Sequence, residues 1–150
     1  MTGISVVDYH TGGEPFRIVT GGVEPLQGET ILDRRRDALE RLDHVRRLLV
    51  NEPRGHADMY GCHVVPPNDD GADLGVVFFH NAGYSTACGH GTIALVTWAL
   101  DEGILAGHLE PGAALAARLG GQVVGAVDGL AAVEVHRQVH VPVERGVARR

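Results

Sequence analysis

Cys88 stands where the polar turn Tyr84-Ser85-Thr86-Ala87 gives way, through Gly89-His90-Gly91, to an apolar run from Thr92 to Leu100. A thiol in that place sits at a predicted helix N-terminus. Unpaired backbone N–H groups and the helix dipole favour a thiolate there, and the same N–H groups can hold a carboxylate. The chemistry to expect is a base or nucleophile beside an anion site. Free cysteine is also a common small buried hydrophobe. The glycines at 89 and 91, which let a ligand come close to the backbone, favour the reactive reading. His90 is open between two roles, a hydrogen-bond partner of thiolate or substrate and a capping or solvated histidine.

A second polar stretch, Pro53-Arg54-Gly55-His56-Ala57-Asp58-Met59-Tyr60-Gly61, brings a cation, a histidine, an acid and an aromatic ring between two glycines. Such density in a loop could line a site, with His56 and Asp58 as lining residues. Taken alone, the simpler reading is a loop in which Arg54 and Asp58 pair. Asp8, His10 and Glu14 flank Thr11-Gly12-Gly13, but their spacing matches no zinc or calcium pattern, and a turn with capping acids is the better reading. Cys62-His63 is too sparse for a metal centre, so no metal is expected. Arg34-Arg35-Arg36 reads as a solvated helix face.

These residues need elements to position them. Ile4 to Tyr9 and Phe16 to Thr20 read as two strands joined through Thr11-Gly12-Gly13. Asp33 to Val50 reads as one amphipathic helix, with Ala38, Leu42, Val45 and Leu49 at helical spacing. His63 to Val65 is a brief strand, and Leu74 to His80 an apolar, buried one. Gly83 to Gly91 forms the loop carrying the cysteine. Thr92 to Leu100, apolar all round, predicts a central buried helix ended by Glu102-Gly103. Beyond an Ala/Arg-rich run from Ala113 to Leu119, Gln122 to Val127 and Ala131 to Val135 are expected to pair as a hairpin across Asp128-Gly129. Glu144 to Arg150 reads as a basic tail. Short strands wrapped around one buried helix make an α+β domain.

A chain of 150 residues fits one domain, able to bury about 68–70% of its unfolded surface. Its net charge of −6 argues against a nucleic-acid or anionic-membrane partner. With no long apolar run and no leader-like N-terminus, the expected location is cytoplasmic. Two cysteines are too few for a disulfide framework. All 13 basic residues are arginine. A Schiff base needs a lysine amine, so amino-acid chemistry on these residues must proceed without pyridoxal phosphate.

Taken together, Asp8-Tyr9-His10-Thr11-Gly12-Gly13-Glu14-Pro15, Asn51 to Gly61 and Asn81 to Leu95 resemble the proline racemase family, which includes hydroxyproline epimerases and trans-3-hydroxy-L-proline dehydratases. The Cys-Gly-His element within Gly-Tyr-x-x-x-Cys-Gly-His is its most specific part. The resemblance is strong from about residue 4 to residue 105 and weaker through Val143, which makes 1–143 a first lobe and 144–150 a tail. It implies a diaminopimelate-epimerase-like fold of two similar lobes, with the active site between them and no cofactor. It also implies that Cys88 is the first-lobe catalytic cysteine, that Gly89, His90 and Gly91 bind the substrate carboxylate, and that Tyr60 packs on a pyrrolidine ring. The substrate implied is a small imino acid, proline or hydroxyproline.

Within the family, Tyr60 and the run His80-Asn81-x-Gly83-Tyr84-Ser85-Thr86 lean toward the dehydratase. Ala87 departs from the methionine often found before this cysteine, a modest packing change. The second-lobe motif Asp-Arg-Ser-Pro-(Cys or Thr)-Gly, where Cys marks a racemase and Thr a dehydratase, does not occur in these 150 residues. Three functional expectations follow. The first is abstraction of an α-proton by Cys88 with loss of water. The second is racemisation or epimerisation with a second cysteine. The third is a non-catalytic remnant or partner-dependent subunit, covering its open face as a homodimer or against another chain.

Overall fold

The computed structural model describes residues 3–70 and 72–105, and beyond them the backbone of 117–119, 122–124 and 133–142. The first two strands, β1 (Gly3–Thr11) and β2 (Glu14–Gly21), form an antiparallel hairpin in which Thr11 faces Glu14. Its two-residue turn has positive φ at both Gly12 (60°) and Gly13 (92°). Glycine adopts that pair of angles without steric cost, and it suits the right-handed twist of the strands.

Two helices then cross from β2 to β3 (Tyr60–Val65), which pairs parallel with β2. They are α1 (Ile31–Arg41) and α2 (Asp43–Val50), where the sequence reading had a single helix from Asp33. A capping box starts α1 at Thr30: its hydroxyl accepts the Asp33 N–H at 3.1 Å, and the Asp33 carboxylate accepts the Thr30 N–H at 3.2 Å. The break falls at Leu42 (φ −119°, ψ 15°), which caps both helices, and Asp43 opens α2 with its carboxylate bonded to Arg46 and Arg47. The kink lets Ala38 and Leu42 as well as Val45, Leu49 and Val50 reach the sheet.

β4 (Gly75–His80) pairs antiparallel with β3, and α3 (Gly89–Asp101) follows. β3 starts at Tyr60, three residues before the strand expected from the sequence, and α3 takes in Gly89 to Gly91, expected as loop. Among the described residues, the two arms of the expected hairpin after residue 121, Gln122–Val124 and Val133–Pro142, do not pair with each other. Instead β5 (Ala117–Leu119) pairs with β6 (Gln122–Val124), and β7 (Val133–Pro142) pairs antiparallel along the whole of β1. Pairing with a nine-residue strand offers β7 a far longer ladder than a five-residue hairpin arm would. The turn expected at Asp128-Gly129, the start of the Ala/Arg-rich run and the tail at 144–150 lie outside the described residues.

The main sheet has the order β4-β3-β2-β1-β7. Strand alternation gives it two faces. One, with Ile4, Val6, Val19, Val65, Val77 and Phe79, packs against α1 and α2. The other, with Val7, Tyr9, Phe16, Ile18, Cys62 and Phe78, packs against Ala94, Leu95, Trp98 and Ala99 of α3. Helix α3 buries residues around most of its circumference, in keeping with its apolar sequence. Strand β1 holds both of its ends: the Thr11 hydroxyl donates to the His90 carbonyl at 3.0 Å, and the Tyr9 hydroxyl donates to the Asp101 carboxylate at 3.0 Å.

Candidate active site

Cys88 is the N-cap of α3, with extended backbone and a carbonyl that accepts the Thr92 N–H at 2.9 Å. The loop leading to it is fastened to the helices on the far side of the sheet. Arg46, itself paired with Asp43, donates to the carbonyls of His80 (2.8 Å) and Asn81 (2.6 Å). The Asn81 amide donates to the carbonyls of Val50 (2.8 Å) and His56 (3.0 Å). The Tyr84 hydroxyl donates to Ala38 O at 3.1 Å, while Arg35 donates to Tyr84 O at 2.6 Å. Arg35 and Arg34, which donates to Pro66 O at 2.6 Å, therefore tie loops to α1 instead of forming the solvated face read from the sequence.

The thiol lies 3.6 Å from His90 Nδ1 and 3.7 Å from Nε2. Cys88 is buried among the apolar residues under α3, and that burial raises its pKa above the ordinary thiol value. The Gly91 backbone N–H pulls the other way, and the Glu14 carboxylate adds to the rise. Burial thus works against the thiolate expected from position alone. Cys62 shares this apolar cluster, is fully buried and is raised further, first by burial and then by Cys88.

Below His90 runs a row of rings built by register. Phe16 is opposite Tyr60, and Tyr60 is opposite His80, all on the α3 face. His90 meets Phe16 edge-on at 6.0 Å and Tyr60 at 5.0 Å, and Tyr60 lies 5.2 Å from the His80 ring. The structure therefore brings Cys88, His90 and Tyr60 together. Gly89 and Gly91 differ in their surroundings. A β-carbon on Gly89 would meet nothing within 4 Å, whereas one on Gly91 would lie 2.3 Å from Phe16 Cε2. Gly89 keeps an open approach to the helix N-terminus, and Gly91 allows the helix to close on β2.

His56 and Asp58 are not bonded to that cluster. His56 lines a separate cavity of about 380 Å³ with Asp8, His10, Arg17 and Met59, and Asp58 is exposed with φ of 63°. Among the described residues no ion pair joins Arg54 and Asp58. Arg54 instead offers its carbonyl to Arg17 at 2.7 Å. Asp8 is not a turn cap: its carboxylate takes two hydrogen bonds from Arg17, each of 2.7 Å. Sequence reasoning missed Phe16, Thr11 and His80 as neighbours of the site. The signal was present in the period-two alternation of the strands, but it needed the register between them.

A buried thiol at a helix N-terminus with a histidine on it and an aromatic wall beside it places a base or nucleophile next to backbone N–H donors that suit an anion. A family profile described as proline racemase matches residues 6–144. The chain belongs to the proline racemase family. It is 51% identical over 100 residues to a trans-3-hydroxy-L-proline dehydratase of Bacillus thuringiensis subsp. konkukian (strain 97-27), covering 67% of this chain and 30% of that protein. It is 55% identical over 100 residues to a 3-hydroxyproline 2-epimerase of Burkholderia multivorans (strain ATCC 17616 / 249), with the same coverage of 67% and 30%. The crystal structure of a hydroxyproline epimerase from Agrobacterium vitis with bound trans-4-OH-L-proline shares the fold, with a TM-score of 0.68 at 24% identity, over 79% of this chain and 34% of that one. The chain thus spans about a third of the length of the proteins it matches. Among the described residues no helix is long and apolar enough to cross a membrane.

Proposed function

We propose that residues 1–143 form the first lobe of an enzyme that removes the α-proton of a proline-type imino acid with the Cys88 thiolate, most like trans-3-hydroxy-L-proline dehydratase. The observation that carries this reading is the Cys88 Sγ to His90 contact of 3.6 Å at the N-cap of α3, above the Phe16–Tyr60 row. The names of the relatives at 51% and 55% identity support the substrate class.

In this reading the substrate carboxylate sits on the backbone N–H groups at Gly89, His90 and Gly91 at the start of α3, the last of which also faces the Cys88 sulfur, and Tyr60 packs on the ring. The raised thiol pKa means that Cys88 must first give up its proton, and the adjacent His90 imidazole is placed to take it. The thiolate then accepts the α-hydrogen. The electron pair left on the α-carbon is spread into the carboxylate held by the backbone donors. Where the ring carries a 3-hydroxyl, that pair forms a C2–C3 double bond as the C3–O bond breaks, and the departing hydroxide takes the proton held on His90 and leaves as water, which returns Cys88 to the thiol and His90 to the neutral ring. The second reading, inversion by a proton returned to the opposite face, is favoured by the relative named as an epimerase. No residue described here takes part from that opposite face. A cytoplasmic location belongs to the same proposal.

The test is α-proton exchange of proline and trans-3-hydroxy-L-proline in heavy water, followed by NMR on the intact protein. Cys88→Ser is expected to slow exchange by roughly 10²–10⁴-fold, the range of a lost acid–base group, with the fold intact. Exchange at the parent rate would overturn the assignment. Loss of water against inversion separates the two readings.

A further inference from the structure

We infer that His80 is a specificity-determining residue of this site, reading a hydroxyl on the substrate ring through its Nε2–H. The inference rests on the functional reading above. It starts from the hydrogen bonds of the imidazole. His80 Nδ1 accepts the Ala82 backbone N–H at 3.2 Å. A nitrogen that accepts carries no proton in the neutral ring, so the proton sits on Nε2. That nitrogen makes no hydrogen bond among the described residues, and it is absent from the buried atoms that lack a partner. It is a free donor reachable from outside.

The backbone that carries the ring is also fixed. The His80 N–H donates to Gly83 O at 2.8 Å, and its carbonyl accepts from Gly83 N at 3.2 Å and from Arg46 Nη1 at 2.8 Å. Cross-strand register sets it opposite Tyr60, with the rings 5.2 Å apart and tilted by 36°. Tyr60 in turn lies between His80 and His90. A ring packed on Tyr60 with its carboxylate toward α3 has the thiol at one end and His80 at the other. Apolar walls cannot discriminate strongly for a hydroxyl, whereas a fixed donor with no other partner can. His80 is the fixed, unengaged donor on that row.

Asn and Gln separate the two nitrogens. In His80→Asn the side-chain oxygen can still accept from Ala82, but the outward donor is withdrawn. In His80→Gln the amide nitrogen reaches the Nε2 position. Binding of L-proline and trans-3-hydroxy-L-proline is measured by calorimetry on the intact protein carrying Cys88→Ser, which blocks turnover. The expected result is that His80→Asn weakens trans-3-hydroxy-L-proline by roughly three- to tenfold, as one neutral hydrogen bond would, and leaves L-proline within about twofold. His80→Gln should restore most of the preference. Equal losses for both ligands, or none, would overturn the inference and leave His80 a packing partner of Tyr60. If the Cys88→Ser protein binds neither imino acid, or still exchanges the α-proton, the functional reading itself falls and the His80 assignment falls with it.

Discussion

Gly91 and Phe16 are packed so closely that a β-carbon at position 91 would lie 2.3 Å from Cε2 and 2.8 Å from Cδ2 of the ring. Phe16 is fully buried between the sheet and α3. Gly91→Ala is therefore expected to destabilise the fold by about 1–3 kcal/mol, the usual cost of overpacking, by pushing the start of α3 away from β2. Gly89→Ala is the contrast, because its β-carbon meets nothing. It should leave stability unchanged or raise it by up to ~1 kcal/mol through helix propensity, while narrowing the approach to the helix N-terminus. Urea unfolding of the two variants checks the sign. A Gly91→Ala protein as stable as the parent would mean that the contact is not tight.

The Asp8–Arg17 pair is expected to be a structural anchor on the opposite face. Arg17 reaches both carboxylate oxygens of Asp8 and the carbonyls of Leu49 (2.6 Å) and Arg54 (2.7 Å), which joins β1 and β2 to α2 and to the following loop. Its side chain is only 8% exposed. Removing one member of such a pair leaves the other charge buried and unpaired. Arg17→Met should cost roughly 3–5 kcal/mol, and the double change Asp8→Asn with Arg17→Met should recover part of that. A double-mutant cycle by chemical denaturation decides it, and strict additivity would count against the anchor.

Local signals carried the site further than the fold. Cys88-Gly89-His90 was legible because a turn, a cap and a helix start are neighbours in sequence. Tyr60 was legible only through the family motif, since nothing near it in the chain reveals that it faces His90. His80 was legible only as the start of a family run; its place beside Tyr60 depends on β3 and β4 pairing with Tyr60 opposite it. The split of α1 from α2 at Leu42 was hidden because the apolar spacing runs through the break. The pairing of β7 with β1 joins residues more than a hundred positions apart, and local turn chemistry at Asp128-Gly129 pointed elsewhere. The thiol's raised pKa was misread because position suggests the dipole, while burial is a property of the packed core.

Stability is expected to fall in acid through His63. Its side chain is buried on β3 beside Phe79, with the rings 5.1 Å apart, and its Nε2 has no hydrogen-bond partner. Burial lowers its pKa from 6.5 to about 4. Between those values the unfolded chain takes up a proton that the folded one refuses. The contribution is thus fully present above about pH 6.5 and lost as the pH falls toward 4. The size is about 3 kcal/mol from the linkage of pKa to stability. Urea midpoints from pH 7 to pH 4 should decline in the parent, and more shallowly in His63→Phe. Parallel slopes would show that His63 stays neutral in neither state or is solvated in both.

Thiol reactivity should distinguish the two cysteines and expose the balance at Cys88. Cys62, fully buried, should resist iodoacetamide in the folded protein. Cys88 sits at the opening of α3, and its alkylation rate should rise with pH along a curve whose midpoint lies above that of an ordinary thiol, because burial disfavours the thiolate. The Glu14 carboxylate pushes in the same direction. Glu14→Gln should therefore move the curve to lower pH and speed labelling at neutral pH, without altering its maximum rate. His90→Phe, which removes the imidazole 3.6 Å from the sulfur, tests the other side of the balance. If the imidazole takes the thiol proton, labelling at neutral pH should slow while the high-pH plateau is kept. Mass spectrometry of the labelled peptide reads both sites at once. A curve for Cys88 centred below the ordinary thiol value would show that the helix N-terminus and His90 together outweigh burial.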